Sequence, residues 1–467
     1  MLNAITSRVS IVICCTLLLS LSTVSCENNA PEKDSKLLVD YPPQHDISAV
    51  TDAVEGNVRG YLTTPQELRE IKRKADAGIE PYRSAVADVV SFAKKEWEWQ
   101  PPKGEQTCPS ADDPVYLEMG SQLAYAQALA YHLTGDAAFA THAISGIRGI
   151  LGISGFGEPG NTSKPDKQCQ LNLSWWIPGF IHAADLLEDV PEWQNSGIKK
   201  PFQEWLANVV YPIISFTAEV SMSNWGAAAT HCCAAIADYL HDRNDLNLVS
   251  YNRLSAPEPF TARAPAEAFE HANALALGRM NGTRWEGKGG SSSACDFDPS
   301  AKSMIRPDGA IPDELRRGST GCEGAAIEEN DKSNMYSQTH LQQLIAHAEL
   351  LLRRGDHRIY DNIQPEALRI EYYDPNGNPL AVELPAGRGS LLKAIEFVFQ
   401  KSKNPVPRSL KSAGEVAYRY YKAPFILSAI EASRPNSGNR AMAFETLTHG
   451  FAEGETIALP PTVPAPK

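Results

Sequence analysis

The chain has 467 residues, of which 43% are hydrophobic and 21% charged, with a formal net charge of −13. That length allows a large core or two domains, and the apolar share is that of a globular protein rather than a disordered one. The acidic balance argues against a nucleic-acid binder, and any site for a polyanion must concentrate its positive charge locally.

Residues 1–25 read as an export signal. Arg8 is the only side-chain charge ahead of an apolar run from Val9 to Leu21. That run is too short for a comfortable transmembrane helix, so removal is expected. It leads into Leu21-Ser-Thr-Val-Ser-Cys26, which resembles a bacterial lipoprotein signal. The resemblance implies that Cys26 carries lipid. Residues 26–60, polar and broken by Pro42-Pro43, would then be a tether. Such a protein is exported to the periplasm or outer membrane of a Gram-negative bacterium and meets the membrane only through that anchor. Ordinary cleavage near Ser25 is the plainer alternative.

Helical patterning starts at Thr64. Thr64-Pro-Gln-Glu67 supplies a capping residue, a proline in the first turn and an acid. Apolar residues then recur at three- and four-residue intervals over 82–99, 116–133, 137–151, 175–187, 202–220, 224–240, 265–280, 335–354, 391–400 and 414–432. Strand-like alternation is scarce outside 369–384, a small hairpin around Asp374-Pro-Asn-Gly377. Short connections imply that consecutive helices pack antiparallel. The helices are too many for one bundle and show no fixed period. The expected fold is all-α, an incomplete (α/α) toroid of antiparallel helix hairpins over 61–435. A C-terminal segment, 436–467, follows, and its Pro-rich end from Thr456 is expected to be extended or disordered.

Of nine cysteines, Cys14 and Cys15 leave with the signal. Export permits disulfides among the rest. Cys295 and Cys322 bracket an Arg-rich loop. Cys108 and Cys169, in two polar loops, can also pair, and spacing alone leaves the connectivity open. Cys232 and Cys233 sit in an apolar helix, where core packing is the default. No CxxC or HExxH pattern marks a metal site, and no cofactor is expected.

Chemistry concentrates in Arg306-Pro-Asp-Gly-Ala-Ile-Pro-Asp-Glu-Leu-Arg-Arg-Gly318 and in Asn334-Met-Tyr336-Ser-Gln-Thr-His340. An arginine fork neutralises a sugar carboxylate, and a tyrosine moves a proton. The same residues also fit a solvated turn and an amphipathic helix. Upstream, Ser223-Asn224-Trp225-Gly226 opens a helix with Asn224 as expected N-cap. His231 lies seven residues on, two turns along nearly the same face. A lone histidine in such a helix is more often a core residue. Trp175, Trp176 and Trp225 offer rings for sugar stacking or for the core. Arg279, Arg284 and Lys288 either bind further carboxylates or complement a helix end.

The run Pro312-Asp-Glu-Leu-Arg-Arg317-Gly318, then Met335-Tyr336-Ser-Gln-Thr-His-Leu-Gln-Gln-Leu344, resembles the alginate lyase domain of helical-toroid polysaccharide lyases. Asn172-Leu-Ser-Trp175-Trp176-Ile-Pro and the segment from His182 resemble that family's substrate groove, and Ser223-Asn224-Trp225 its catalytic asparagine. The resemblance spans residues 115–355. It implies catalytic roles for Asn224, Arg317 and Tyr336, and substrate contacts for Asn172, Trp175, Trp176, Trp225 and His340. The best-known branch has histidine directly after the asparagine. Trp225 holds that place here, and His231 is the nearest replacement.

The implied reaction is β-elimination on an acidic polysaccharide, alginate first, with glucuronan as the alternative. Asn224 and Arg317 would neutralise the C5 carboxylate, while Tyr336 and His231 move protons. Two other classes compete. A non-catalytic glycan-binding lipoprotein would not need His231 or Tyr336. A toroid glycoside hydrolase needs two carboxylates across the bond, for which Asp308, Asp313 and Glu314 are available.

Overall fold

Thr64 caps the first helix, α1 (Pro65–Asp76), its hydroxyl accepting from the Glu67 amide at 3.2 Å. In this computed structural model the described residues are 56–97, 101–106, 108, 115–156, 167–221, 223–251, 260–281, 305, 309, 311, 314, 332–361, 368–373, 379–384, 391–402, 406–438, 440 and 442–467. Cys26, Arg284, Lys288, Cys295, Asp308, Asp313, Arg317, Cys322 and the turn 374–377 lie outside them.

After α1 come α2 (Tyr82–Ala93), α3 (Val115–Thr134), α4 (Ala137–Ile150), α5 (Lys167–Leu186) and α6 (Pro191–Asn195). Then come α7 (Lys199–Trp205), a π-helical turn (Leu206–Val210), α8 (Tyr211–Val220), α9 (Asn224–Tyr239) and α10 (Pro265–Asn281). The remaining helices are α11 (Lys332–Leu352), α12 (Arg358–Asp361), α13 (Leu391–Lys401), α14 (Arg408–Tyr421), α15 (Pro424–Glu431) and α16 (Glu445–His449). An inner series α3, α5, α9, α11, α14 packs each on the next, with α4, α8, α10, α13 and α15 against its members. This is the expected all-α toroid of helix pairs.

Helix α9 has no polar face to give to water. Nearly every residue of α9 is buried, and most are alanine or other small residues. Glycines bring α3 and α5 close: a Cβ on Gly179 would stand 3.0 Å from Ser121 Cβ, and one on Gly120 would stand 3.2 Å from the Phe180 ring.

Several boundaries differ from the sequence reading. Helix α2 stops at Ala93, six residues short. Helix α5 begins at Lys167, eight residues early, so Cys169 lies in its first turn rather than in a loop, bridged to Cys108 with Cα atoms 5.0 Å apart. The span 414–432 is two helices, because Lys422 turns left-handed (φ 51°) and Pro424 starts α15. The helix over 202–220 passes through the π-helical turn just ahead of Pro212, which has no N–H to donate.

The β5–β6 hairpin (Leu368–Tyr373, Pro379–Leu384) is antiparallel, with Leu368 opposite Leu384. Two shorter pairs had no sequence signal: β1 (Gly104–Gln106) with β2 (Ile153–Phe156), and β3 (Leu248–Tyr251) with β4 (Phe260–Arg263).

The described end of the expected tether, 56–60, and the C-terminal segment both pack against the toroid. Val58 and Arg59 are buried. The Pro-rich tail is extended and bonded: the Val463 amide donates to Arg353 O at 2.9 Å, and Arg59 Nη2 donates to Pro464 O at 3.0 Å.

The tail, the N-terminal segment and two inner helices meet at Asp238. Its carboxylate accepts from Arg59 Nε and Nη2 at 2.9 and 2.7 Å, and from Arg354 Nε and Nη2 at 2.7 and 2.6 Å. Burial would raise its pKa, but the two guanidiniums, Arg354 first, hold it well below the usual range. The stability it lends is therefore present at neutral pH and is lost as acid protonates it. Asp238→Asn leaves two buried guanidiniums without their counter-charge, a loss of about 3–5 kcal/mol. Urea unfolding should show a clearly lower midpoint. An unchanged midpoint would contradict the account of this cluster.

Candidate active site

Asn224 opens α9 but does not cap it. Ser223 is the N-cap, its Oγ accepting from the Trp225 amide at 3.3 Å. Asn224 is thus the first helical residue, and its backbone N–H has no partner within the helix. Glu314 supplies one. Its Oε1 accepts from the Asn224 amide N–H, and its Oε2 accepts from Asn224 Nδ2 at 3.1 Å. The same Oε1 lies 2.9 Å from His340 Nδ1. All three residues are buried, Glu314 and His340 completely. The positive end of α9 favours the carboxylate there. Glu314 is thus no solvated turn residue, because its two oxygens join α9 to α11.

Tyr336 sits four residues before His340, so the two share one face of α11. It is half-buried. Thr339, between them, accepts from Arg440 Nη1 at 3.3 Å. The Arg440 guanidinium lies 4.0 Å over the Trp175 ring. Arg440 takes the left-handed region (φ 65°), unusual for a side chain of its size. It carries positive charge from the C-terminal segment to the edge of the site, a contribution missed in the sequence.

His231 lies elsewhere along the seam. Its ring centroid is 5.9 Å from that of His347, seven residues beyond His340. That is two helical turns, roughly 10 Å, from the Glu314 contact. Neither His231 ring nitrogen has a hydrogen-bond partner, and burial lowers its pKa to about 3.

The other expected residues divide. Trp175 and Trp225 are half-buried. Asn172 is buried and accepts from Gln168 Nε2 at 2.7 Å. Trp176 is wholly buried in the core. Its position on α5 turns it inward, so its sequence-based role as a sugar contact is replaced by packing. Arg279 is on α10, its side chain outside the description.

Among the described residues, no three His, Cys, Asp or Glu side chains are placed to hold a metal ion. A cavity of about 270 Å³ opens at the Asp238 end, lined by Arg59, Glu188, Lys199 and Tyr239 among others. Glu188 there is already bonded to Lys199 and Tyr239 at 2.7 Å each. That cavity is therefore a self-satisfied polar space, away from Asn224 and Tyr336.

Neither a family model nor a curated protein sequence matches the chain. Solved structures do. An alginate lyase from Bacteroides ovatus is 14% identical, with a TM-score of 0.50 over 84% of this chain and 99% of that one. Alginate lyase A1-III from a Sphingomonas species is 15% identical, with a TM-score of 0.47 over 84% and 97%. The first likeness gives the class: an alginate lyase-like helical-toroid fold.

The segment bearing Arg440 is anchored by Glu445, whose Oε2 accepts from Ser412 Oγ at 2.5 Å and from the Gly438 amide at 2.8 Å. Burial raises the Glu445 pKa from 4.5 to about 7. The folded state thus holds an extra proton between those values, and stability falls as pH rises through that window. Asp185, also raised to about 7, acts in the same direction. Glu445→Gln should flatten part of the decline in melting temperature from pH 4.5 to 7. Parallel wild-type and variant curves would refute the anchor's titration.

Proposed function

We propose that this protein is a polysaccharide lyase that cleaves a 1,4-linked polyuronate, alginate first among them, by β-elimination. The observation that carries the reading is the meeting of Asn224 and the Tyr336 face of α11 around one buried carboxylate, in a fold shared with an alginate lyase.

The C5 proton of a uronate is weakly acidic. It leaves when the adjoining carboxylate is neutralised, because the negative charge then spreads into an enolate-like group. Asn224 donates to that carboxylate, with Arg317 proposed on the sequence resemblance alone. Tyr336 gives its phenolic proton to the departing O4 and also takes the C5 proton when both lie on one side. The low basicity of His231 and its distance from Asn224 favour Tyr336 as the central proton-transfer residue. Arg440 stacked on Trp175 supports an anionic sugar in the adjoining subsite.

A hydrolase using Glu314 as half of its carboxylate pair is disfavoured, because both Glu314 oxygens are engaged; Asp308 and Asp313 lie outside the described residues. Lipid attachment at Cys26 remains part of the proposal and would hold the enzyme where external polysaccharide arrives.

Purified protein should generate the absorbance of an unsaturated uronate from at least one of alginate, polymannuronate, polyguluronate and glucuronan. No signal on any of them would sink the lyase reading. Tyr336→Phe should lower kcat by about a hundredfold or more, as loss of a positioned proton-transfer group does. Full activity in that variant would remove Tyr336 from the mechanism.

A further inference from the structure

We propose that His340, oriented by Glu314, is the base that takes the C5 proton from the substrate's opposite face. The assignment rests on the lyase reading above and replaces His231 in that role.

The partner of His340 sets its tautomer. An ionised carboxylate only accepts hydrogen bonds. Glu314 Oε1 lies 2.9 Å from His340 Nδ1, so Nδ1 carries the hydrogen. In the neutral ring the lone pair is then on Nε2, which is buried and has no hydrogen-bond partner. A histidine tied by one nitrogen to a carboxylate, with the other nitrogen unpartnered, is arranged as an oriented base. Glu314 also offsets the charge of the imidazolium that forms.

Placement supports the same conclusion. The C5 proton and the carboxylate that activates it are on the same carbon. Base and neutralising donor must therefore be neighbours. Glu314 makes them so, holding Asn224 Nδ2 at 3.1 Å and His340 Nδ1 at 2.9 Å. Because the carboxylate accepts only, it also fixes the Asn224 amide with nitrogen inward, leaving the second Nδ2 hydrogen for substrate. Tyr336, one turn earlier on the same helix face, is placed to serve O4.

His231 has none of these features. It touches His347, whose Nε2 is bonded to Asn273 Oδ1 at 3.0 Å. No carboxylate orients its ring, and both its nitrogens lack partners.

In the proposed step, His340 Nε2 forms a bond to the C5 hydrogen and the C5–H electron pair enters the enolate. That pair then forms the C4–C5 double bond as the C4–O4 bond breaks. Tyr336 gives its proton to O4. The imidazolium and phenolate so produced return to their starting forms by passing one proton through solvent after product leaves. No oxidant or co-reactant is required.

The test combines kinetics on the preferred polyuronate with nitrogen NMR of the histidine rings in the full-length protein. His340→Gln should lower kcat by about a hundredfold or more, the range for loss of a general base. Its KM should stay within about threefold, since the group acts in the transition state. Glu314→Gln, close in shape, should lower kcat by about tenfold or more and shift the His340 tautomer signals. A wild-type His340 protonated on Nε2 and bare on Nδ1 overturns the proposal, even where His340→Gln fails to fold. An active wild type with His340→Gln retaining its kcat overturns it while leaving the lyase reading standing. A wild type inactive on every polyuronate ends both.

Discussion

The structure turns on one carboxylate without access to water. Asp238 is buried between the guanidiniums of Arg59 and Arg354. A buried charge of this kind is costly unless geometry and hydrogen bonding are complete, so it tolerates little slippage. It belongs to α9, while Arg354 follows directly on α11. The pair thereby fixes one helix against the other. Arg59 and the Pro464 carbonyl bring the N-terminal segment and the tail to the same point.

From that point the register runs the length of both helices. Asp238, His231 and Asn224 are spaced by sevens on α9, and Arg354, His347 and His340 by sevens on and just past α11. Asp238 pairs with Arg354, His231 faces His347, and Asn224 reaches His340 through Glu314. Ascending residues meet ascending residues, so the two inner helices are parallel. One end of the seam is a charged clamp and the other is the candidate site. Under the proposed function, an acidic ligand would be met locally, by the Asn224 amide and the guanidinium of Arg440, rather than by the chain's overall charge.

Much of this was legible in the sequence. The helices showed their period, Thr64 its cap, and Cys232 and Cys233 their burial. The toroid followed from helix number and short connections. What escaped did so for physical reasons. The first turns of α5 bury Gln170, Asn172 and Ser174, so polar letters there hid an inner helix. Ser223 and Asn224 are both good caps, and only geometry separates them. Trp176 and Trp175 are adjacent, yet one full step around a helix puts the first in the core and leaves the second half-exposed. Glu314 looked like a charged turn because its partners come from helices distant in sequence. Arg440 arrives from about a hundred residues beyond Thr339, and no local pattern announces it. The paired sevens on α9 and α11 were the available signal, readable only when two helices are compared.

The chemistry hinges on whether the bond is broken by elimination or by water. The most direct measurement is mass spectrometry of oligosaccharides released from a polyuronate in heavy-oxygen water. The account predicts products with unsaturated non-reducing ends and no oxygen label introduced by cleavage. Saturated products carrying the label would mean hydrolysis and would contradict it.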